Sequence, residues 1–380
     1  MTEEVIQLML SLVGCSMFGT PLTAEQRTAC TMETCQAVMK LADKHDLKHL
    51  VADALLKQNL MMEQAPRLQK AVGVAIYRRQ RLTYAAGQVA QILEEANIPF
   101  LPLKGAVMGK KYPQPWMRTS CDLDVLVHPA DLDRAVDALV TRGGFENQGR
   151  GYHDVSLKAP NDAHVELHFS LLEDGRFPKA EAIVEAVWEH TAPVGAGMEY
   201  AMTQEMYLFH HVLHMANHIC EGGCGIRSFL DLWLQRDAWK SGEALLEAGG
   251  LKTFAQTAEA LASVWFDGEA HRVQTQNLEH YVLRGGVFGT EGNQAAIHQA
   301  RSEGHPFLSR IFLPTEILRG HYPVLERYGW LMPFCQVARW FRLLSPKRMQ
   351  RAVKLVKANT RATDSQLDRA ASLLRDLGLQ

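Results

Sequence analysis

The stretch Cys121-Asp122-Leu123-Asp124-Val125-Leu126-Val127 decides how this chain is read. Its β-branched content, apolar run and bounded length predict a strand. Residues two apart on a strand point to the same face, so Asp122 and Asp124 stand side by side. Two such carboxylates repel each other, and burying either one without a partner is costly. A strand this apolar holds them only at an exposed end or where a cation neutralises them. On spacing alone both readings stand: a solvated acidic pair, or a site for divalent metal. Hard cations such as Mg²⁺ or Mn²⁺ take oxygen ligands, and two of them can clamp a transferring phosphoryl group.

Upstream, the apolar run Ile98–Leu103 ends in Lys104-Gly105, which predicts a strand turning into a short helix, Ala106–Lys111. Gly105 lets the backbone approach a ligand closely, and a helix start offers N–H groups to phosphate. Lys104 adds a charge to the same place, although a plain turn explains a Lys-Gly pair equally well. Arg118, four residues before Asp122, could reach a phosphate or brace the acidic pair. Downstream, Pro129-Ala130 open a helix through Val140 that Gly143-Gly144 stop. Two further strands, His153–Lys158 and His164–Phe169, flank the turn signal Pro160-Asn161-Asp162. Along His164-Val165-Glu166-Leu167-His168 the residues alternate, so His164, Glu166 and His168 share one face. If this strand pairs beside the first, Glu166 becomes a third carboxylate of the metal site; if not, it is an exposed strand residue.

Helical spacing marks both flanks. Cys35–Lys44, Leu47–Leu60 and Tyr77–Ala96 carry it on the N-terminal side, and from Thr203 onward the pattern is helical almost to the end. The expected division is a helical region at 1–96, an α/β core at 97–200 and a second helical region at 201–380. Charged residues make up 22% of the chain, hydrophobic ones 47%, and the formal net charge is −2. That is globular composition, and any anionic partner must be met by a local patch. No apolar run approaches the ~20 residues of a membrane span. Glu3, Glu4, Gln7 and Ser11 break the pattern of a signal peptide. Seven cysteines, an odd number, suit free thiols in a reducing compartment. The expected location is the cytoplasm.

Taken in order, Leu103-Lys104-Gly105, Tyr112-Pro113, Arg118, Asp122-Leu-Asp124-Val-Leu-Val, Gly143-Gly144-Phe145 and Val165-Glu166-Leu-His168 resemble the bacterial family of uncharacterised nucleotidyltransferases. That family belongs to the DNA polymerase β superfamily, and the motifs cover about residues 97–170. The resemblance implies a minimal polymerase β-type core, of α/β (α+β) class with a small mixed sheet, between helical regions. It implies that Asp122, Asp124 and Glu166 bind Mg²⁺ (or Mn²⁺), while Lys104, Gly105 and Arg118 bind the nucleotide. The activity implied is transfer of a nucleoside monophosphate from a triphosphate, ATP by default, to an acceptor: protein, sugar, small molecule or RNA end. Two departures from the superfamily are visible. Lys104-Gly105 replaces the usual Gly-Ser or Gly-Gly at the phosphate turn, a change the family shares. A Glu also stands where the third carboxylate is more often Asp.

Two features lie outside those motifs. His210, His214 and His218 fall at i, i+4 and i+8, one stripe on a helix, followed by Arg227 and Asp231 one turn apart. Such a stripe permits a transition-metal pair, which would make a phosphohydrolase, or it lines a cleft without metal. In the resembling family similar residues recur. This implies a wall of the active-site cleft; His168, His214, His218, Arg227 and Asp231 are the candidate acceptor cleft, and the one-turn spacing predicts an Arg227–Asp231 ion pair. From Arg327 to Thr363 there are nine Lys or Arg and no Asp or Glu, interleaved with Trp330, Trp340 and Phe341. This basic segment is either a solvated helix face or a site for an acidic partner. A nucleotide-binding regulator without turnover is the remaining alternative, and the intact Asp122, Asp124 and Glu166 argue against it.

Overall fold

Thr23, Thr31 and Thr203 each lie just before a helix, and each side chain accepts a hydrogen bond from the backbone N–H three residues on. This is how a hydroxyl satisfies an otherwise orphaned donor at a helix start. The first two begin α2 (Ala24–Ala29) and α3 (Met32–Lys44), which follow α1 (Glu3–Phe18). Next come α4 (Lys48–Lys57) and the long α5 (Ala65–Glu95). The sequence pattern marks only the second half of α5. In the structure it starts at Ala65, with Pro66 in its first turn, where a missing N–H costs nothing. The computed structural model describes residues 2–173, 175–287, 289–301, 318–319, 322, 324–343 and 364–380.

The α/β core follows as β1 (Phe100–Pro102), α6 (Lys104–Met108), β2 (Asp122–Val127), α7 (Leu132–Gly143), β3 (Glu146–Arg150), β4 (Asp154–Lys158) and β5 (His164–His168). They form a five-stranded sheet in the order β1-β2-β5-β4-β3. Only β2 and β5 run parallel; the other pairings are antiparallel. The sheet is therefore mixed, as expected. The sequence pattern misses β3. All five of its residues are exposed, so it has no buried face to leave an alternation, and its pairing with β4 alone defines it. It also misses a two-stranded ribbon, β6 (Thr191–Pro193) and β7 (Tyr200–Met202).

After α8 (Pro178–Glu185) and that ribbon come α9 (Gln204–Cys220), α10 (Ile226–Trp233), α11 (Trp239–Ala248), α12 (Lys252–Phe266), α13 (Val273–Gly285) and α14 (Glu291–Arg301). The last packs against the terminal helix Asp364–Leu377. Of the basic segment, residues 344–363 lie outside the described residues. Before them, Arg327 ends the short helix Val324–Arg327, Gly329–Leu331 make a 3-10 turn, and Met332–Leu343 form a helix, where Phe334 is exposed.

Two cores fix where the site opens. Behind the sheet, Leu123, Val125, Val127, Val165 and Leu167 pack under α5 and α7. In front, Leu101, Leu103 and Leu126 join a larger cluster with residues of α1, α4 and α9. The polar end of the front face is left over, and it carries the acidic residues. All seven cysteines are free. Among the described residues no helix is long and apolar enough to cross a membrane.

Candidate active site

The register of two strands assembles the acidic centre. Parallel pairing sets Asp122 beside His164, Asp124 beside Glu166 and Leu126 beside His168. The side chains two apart on β2 and the alternating polar face of β5 thus meet on one face of the sheet. Glu166 belongs to two groups of possible ligands, Asp122–His164–Glu166 and Asp124–Glu166–His168, each with donor atoms within 4.8 Å of one another. The three carboxylates singled out in the sequence are therefore brought together. Two histidines join them: His164, which read as an ordinary polar-face residue, and His168, expected further out in the acceptor cleft.

Lys104 enters from β1. The Leu103 N–H donates to the Asp124 carbonyl (3.0 Å), which delivers the following residue to the centre. Lys104 adopts a left-handed φ of 40°, a conformation that costs a non-glycine residue of order 1 kcal/mol or more. Its carbonyl accepts a hydrogen bond from the Tyr207 hydroxyl on α9 (2.9 Å), and its Nζ donates to Asp124 Oδ1 (3.0 Å). His168 Nε2 lies 3.0 Å from the same oxygen and 3.6 Å from Glu166 Oε2. The His168 ring stacks on His153, with centroids 5.4 Å apart.

The two aspartates differ electrostatically. Burial pushes the Asp122 carboxyl above its ordinary pKa, and the charges of Asp124 and Glu166 push the same way. Its side chain accepts a hydrogen bond from Ser120 Oγ (3.1 Å). Burial also opposes ionisation of Asp124, which is only 3% exposed, but Lys104 and His168 outweigh it and hold this carboxyl well below the usual range. His168 holds Glu166 down against burial. Burial works against the imidazolium of His168 too, yet its hydrogen bonds to Asp124 and Glu166 raise its pKa. The centre is a place built for positive charge.

Arg118 does not point a free guanidinium at this centre. It is buried and donates through Nε (3.2 Å) and Nη2 (2.9 Å) to Asp231 Oδ2, and through Nη1 to the Thr119 carbonyl (3.0 Å). The Tyr112 hydroxyl donates to the other oxygen of Asp231 (2.6 Å). The expected ion pair between Arg227 and Asp231 is therefore corrected. Arg227 pairs with Asp46 and also donates to the Thr119 carbonyl (3.0 Å). One helical turn brings two side chains near each other, but the buried Asp231 turns toward Arg118 in the core. Asp46 carried no sequence signal. Only the fold carries it from the α3–α4 connection to the site.

Gly105 sits beneath this brace. A Cβ there would stand 3.0 Å from both Arg118 Nη1 and Ser120 Oγ, so the close approach explains the glycine. The histidine stripe lines a cavity of about 710 Å³ that also holds Lys104, Asp122, Asp124, Arg227 and Asp231. His214 Nδ1 is 3.3 Å from Glu173 Oε1, and His218 Nε2 is 3.0 Å from His214 Nε2. Burial drives His210 down to about 3 and His218 to about 4, so both are neutral. Among the described residues, the groups of three possible metal ligands lie at the acidic centre and not on this stripe.

The mixed sheet thus carries two aspartates on one strand and a glutamate abreast of them on the next. The model of the family described as uncharacterised nucleotidyltransferase matches residues 32–267, and the chain belongs to that family. Its family activity is nucleotidyl transfer, with a nucleotide as substrate. No curated protein and no solved structure matches the chain.

Proposed function

We propose that this protein transfers a nucleoside monophosphate from a nucleoside triphosphate to an acceptor oxygen and releases pyrophosphate. The observation that carries the reading is the register of Glu166 beside Asp124, with Asp122 two residues away on the same face. Three carboxylates offer oxygen donors suited to Mg²⁺ or Mn²⁺, and the cluster already draws in Lys104 and His168 as cations. Asp122, Asp124 and Glu166 would hold the metal. Bound there, it would neutralise charge on the transferring phosphoryl group.

The chain's own groups supply the rest. The acceptor oxygen forms a bond to the α-phosphorus as the bond to the bridging oxygen breaks. Glu166, kept ionised by its neighbour His168, takes the acceptor's proton. Lys104 is the cation next to the reacting phosphates, and Gly105 keeps the backbone close. Arg118 is assigned a different part from a direct phosphate contact: with Asp231 and Tyr112 it braces the turn that presents Ser120 and Asp122. Catalysis of this kind is mostly positioning and charge neutralisation.

The test is direct. Purified protein is incubated with each α-labelled triphosphate, Mg²⁺ or Mn²⁺, and cell extract, and pyrophosphate release and label transfer are followed. We expect transfer that Asp124→Asn abolishes. Triphosphate binding without pyrophosphate release under every condition would favour a regulator.

A further inference from the structure

We propose that the acceptor is a single-stranded polynucleotide, laid along one face of α5 with its terminal hydroxyl at the acidic centre. This rests on the nucleotidyltransferase reading and names its substrate class. The first observation is charge. Between Ala65 and Leu93 the helix has no Asp or Glu, while it carries Arg67, Lys70, Arg78, Arg79 and Arg81. At 3.6 residues per turn, Arg67, Lys70, Tyr77, Arg78, Arg81 and Tyr84 fall within about a third of the circumference. Lys70 and Arg78 have no ion pair among the described residues, and Arg67 donates only to Gln64 (3.2 Å). An anionic partner therefore need not displace an existing pair.

The second observation is the pair of rings. Tyr77 is 62% exposed and Tyr84 60%, two turns apart on that cationic face. The Arg81 guanidinium lies 6.0 Å from the Tyr77 ring centroid. Single exposed aromatics are ordinary. Two in line among unpaired cations make a surface on which bases stack while phosphates meet Lys and Arg. An acidic protein would use the charges but leave the rings without a role.

The third observation is continuity. A groove of about 570 Å³ between α3 and α5 shares Asp43, Asp46 and Arg78 with the 710 Å³ cavity of the acidic centre. Both aspartates at that junction are already paired, Asp43 with Lys48 (3.3 Å) and Asp46 with Arg227. Arg78 is the cation there that stays uncommitted among the described residues. A strand entering the groove thus meets positive charge up to the point where its terminal hydroxyl oxygen attacks the α-phosphorus. Pyrophosphate leaves, and the hydroxyl proton goes to Glu166.

The experiment is fluorescence anisotropy on the full chain in Mg²⁺. Its probes are labelled RNA and DNA single strands of roughly 12 nucleotides, within the range one such site covers, a duplex and a polyglutamate peptide. Single strands should bind, with the duplex and the peptide much weaker; the two strand arms show whether RNA or DNA is preferred. Arg67→Gln/Lys70→Gln/Arg78→Gln should flatten the dependence of log affinity on log salt by about two, since each phosphate contact on a single strand contributes about 0.7. Tyr77→Ala/Tyr84→Ala should weaken binding about thirtyfold or more with little change in that slope. Equal binding of polyglutamate would make the partner an acidic protein, and an unchanged slope in the triple variant would move the site elsewhere; either overturns the proposal. Because binding needs no turnover, the two readings fail separately. Transfer to some other acceptor by a protein that binds no strand sinks this inference and leaves nucleotidyl transfer standing. Strand binding along α5 without labelling by any triphosphate overturns the acceptor role.

Discussion

Arg118 grips Asp231 through two nitrogens at 2.9 and 3.2 Å, across 113 residues of sequence and with both side chains buried. The pair ties the loop before β2 to α10, and Tyr112 completes the coordination of the carboxylate. Burial alone would raise the Asp231 carboxyl, but Arg118 keeps it low. Removing one partner leaves the other charge buried and alone. Arg118→Ala or Asp231→Ala should each cost about 3 kcal/mol in urea unfolding. Arg118→Met/Asp231→Leu should cost clearly less than the sum of the two single changes. Additive losses would show that the pair is not a coupled brace.

The two aspartates of β2 should respond oppositely to neutralisation. Asp122 is raised by burial and by its acidic neighbours, so the fold prefers it uncharged. In metal-free buffer Asp122→Asn should melt at or above the wild-type temperature. Asp124→Asn gives up the pairing with Lys104 and His168 and should lose roughly 2 kcal/mol. Both variants should lose nucleotidyl transfer. Thermal melts in EDTA decide the order, and an Asp124→Asn protein more stable than Asp122→Asn would contradict this account of the charges.

Gly105→Ala tests the close approach. Alanine suits a helix better than glycine by about 1 kcal/mol, yet its methyl would press on Arg118 and Ser120 at 3.0 Å. The expected outcome is a folded protein whose Ser120 shifts off Asp122, with kcat/KM down by about tenfold or more. Wild-type kcat/KM in this variant would mean that the glycine serves only the turn.

Acid should destabilise the fold before the carboxylates titrate. Burial holds His45 at about 4 and His210 at about 3 in the folded chain, against about 6.5 unfolded. Folded pKa values below the unfolded one mean that the unfolded chain binds more protons between those limits. The stability these groups support is complete above pH ~6.5 and is lost as pH falls toward 4 and then 3. Each contributes a slope of up to about 1.4 kcal/mol per pH unit. His45 Nδ1 accepts from the Ile226 N–H (3.3 Å), and Asn keeps an acceptor there. His45→Asn should therefore flatten the slope between pH 6 and 4.5 by about one proton; an unchanged slope would mean that His45 is not held neutral.

Local rules made much of the site legible in the sequence. Alternation in β2 and β5 placed Asp122, Asp124, Glu166 and His168 on polar faces, and a glycine after Lys104 marked a close turn. Gly143-Gly144 ended α7 where a left-handed cap forms at Gly144. These are period-two or single-residue properties, so they can be read without knowing what lies opposite. Partners cannot be read that way. Arg227 and Asp231, one turn apart, choose Asp46 and Arg118 instead, because each faces a different element of the packed fold. The exposed strand β3 exists only through its ladder with β4, and Leu68, in the part of α5 that the sequence pattern leaves unmarked, is buried with residues of α4. Which residues could act is legible along the chain, because strand geometry is local. Which charges neutralise one another, and which stay free, follows from packing, because pairing depends on contacts between elements that sequence separation does not encode.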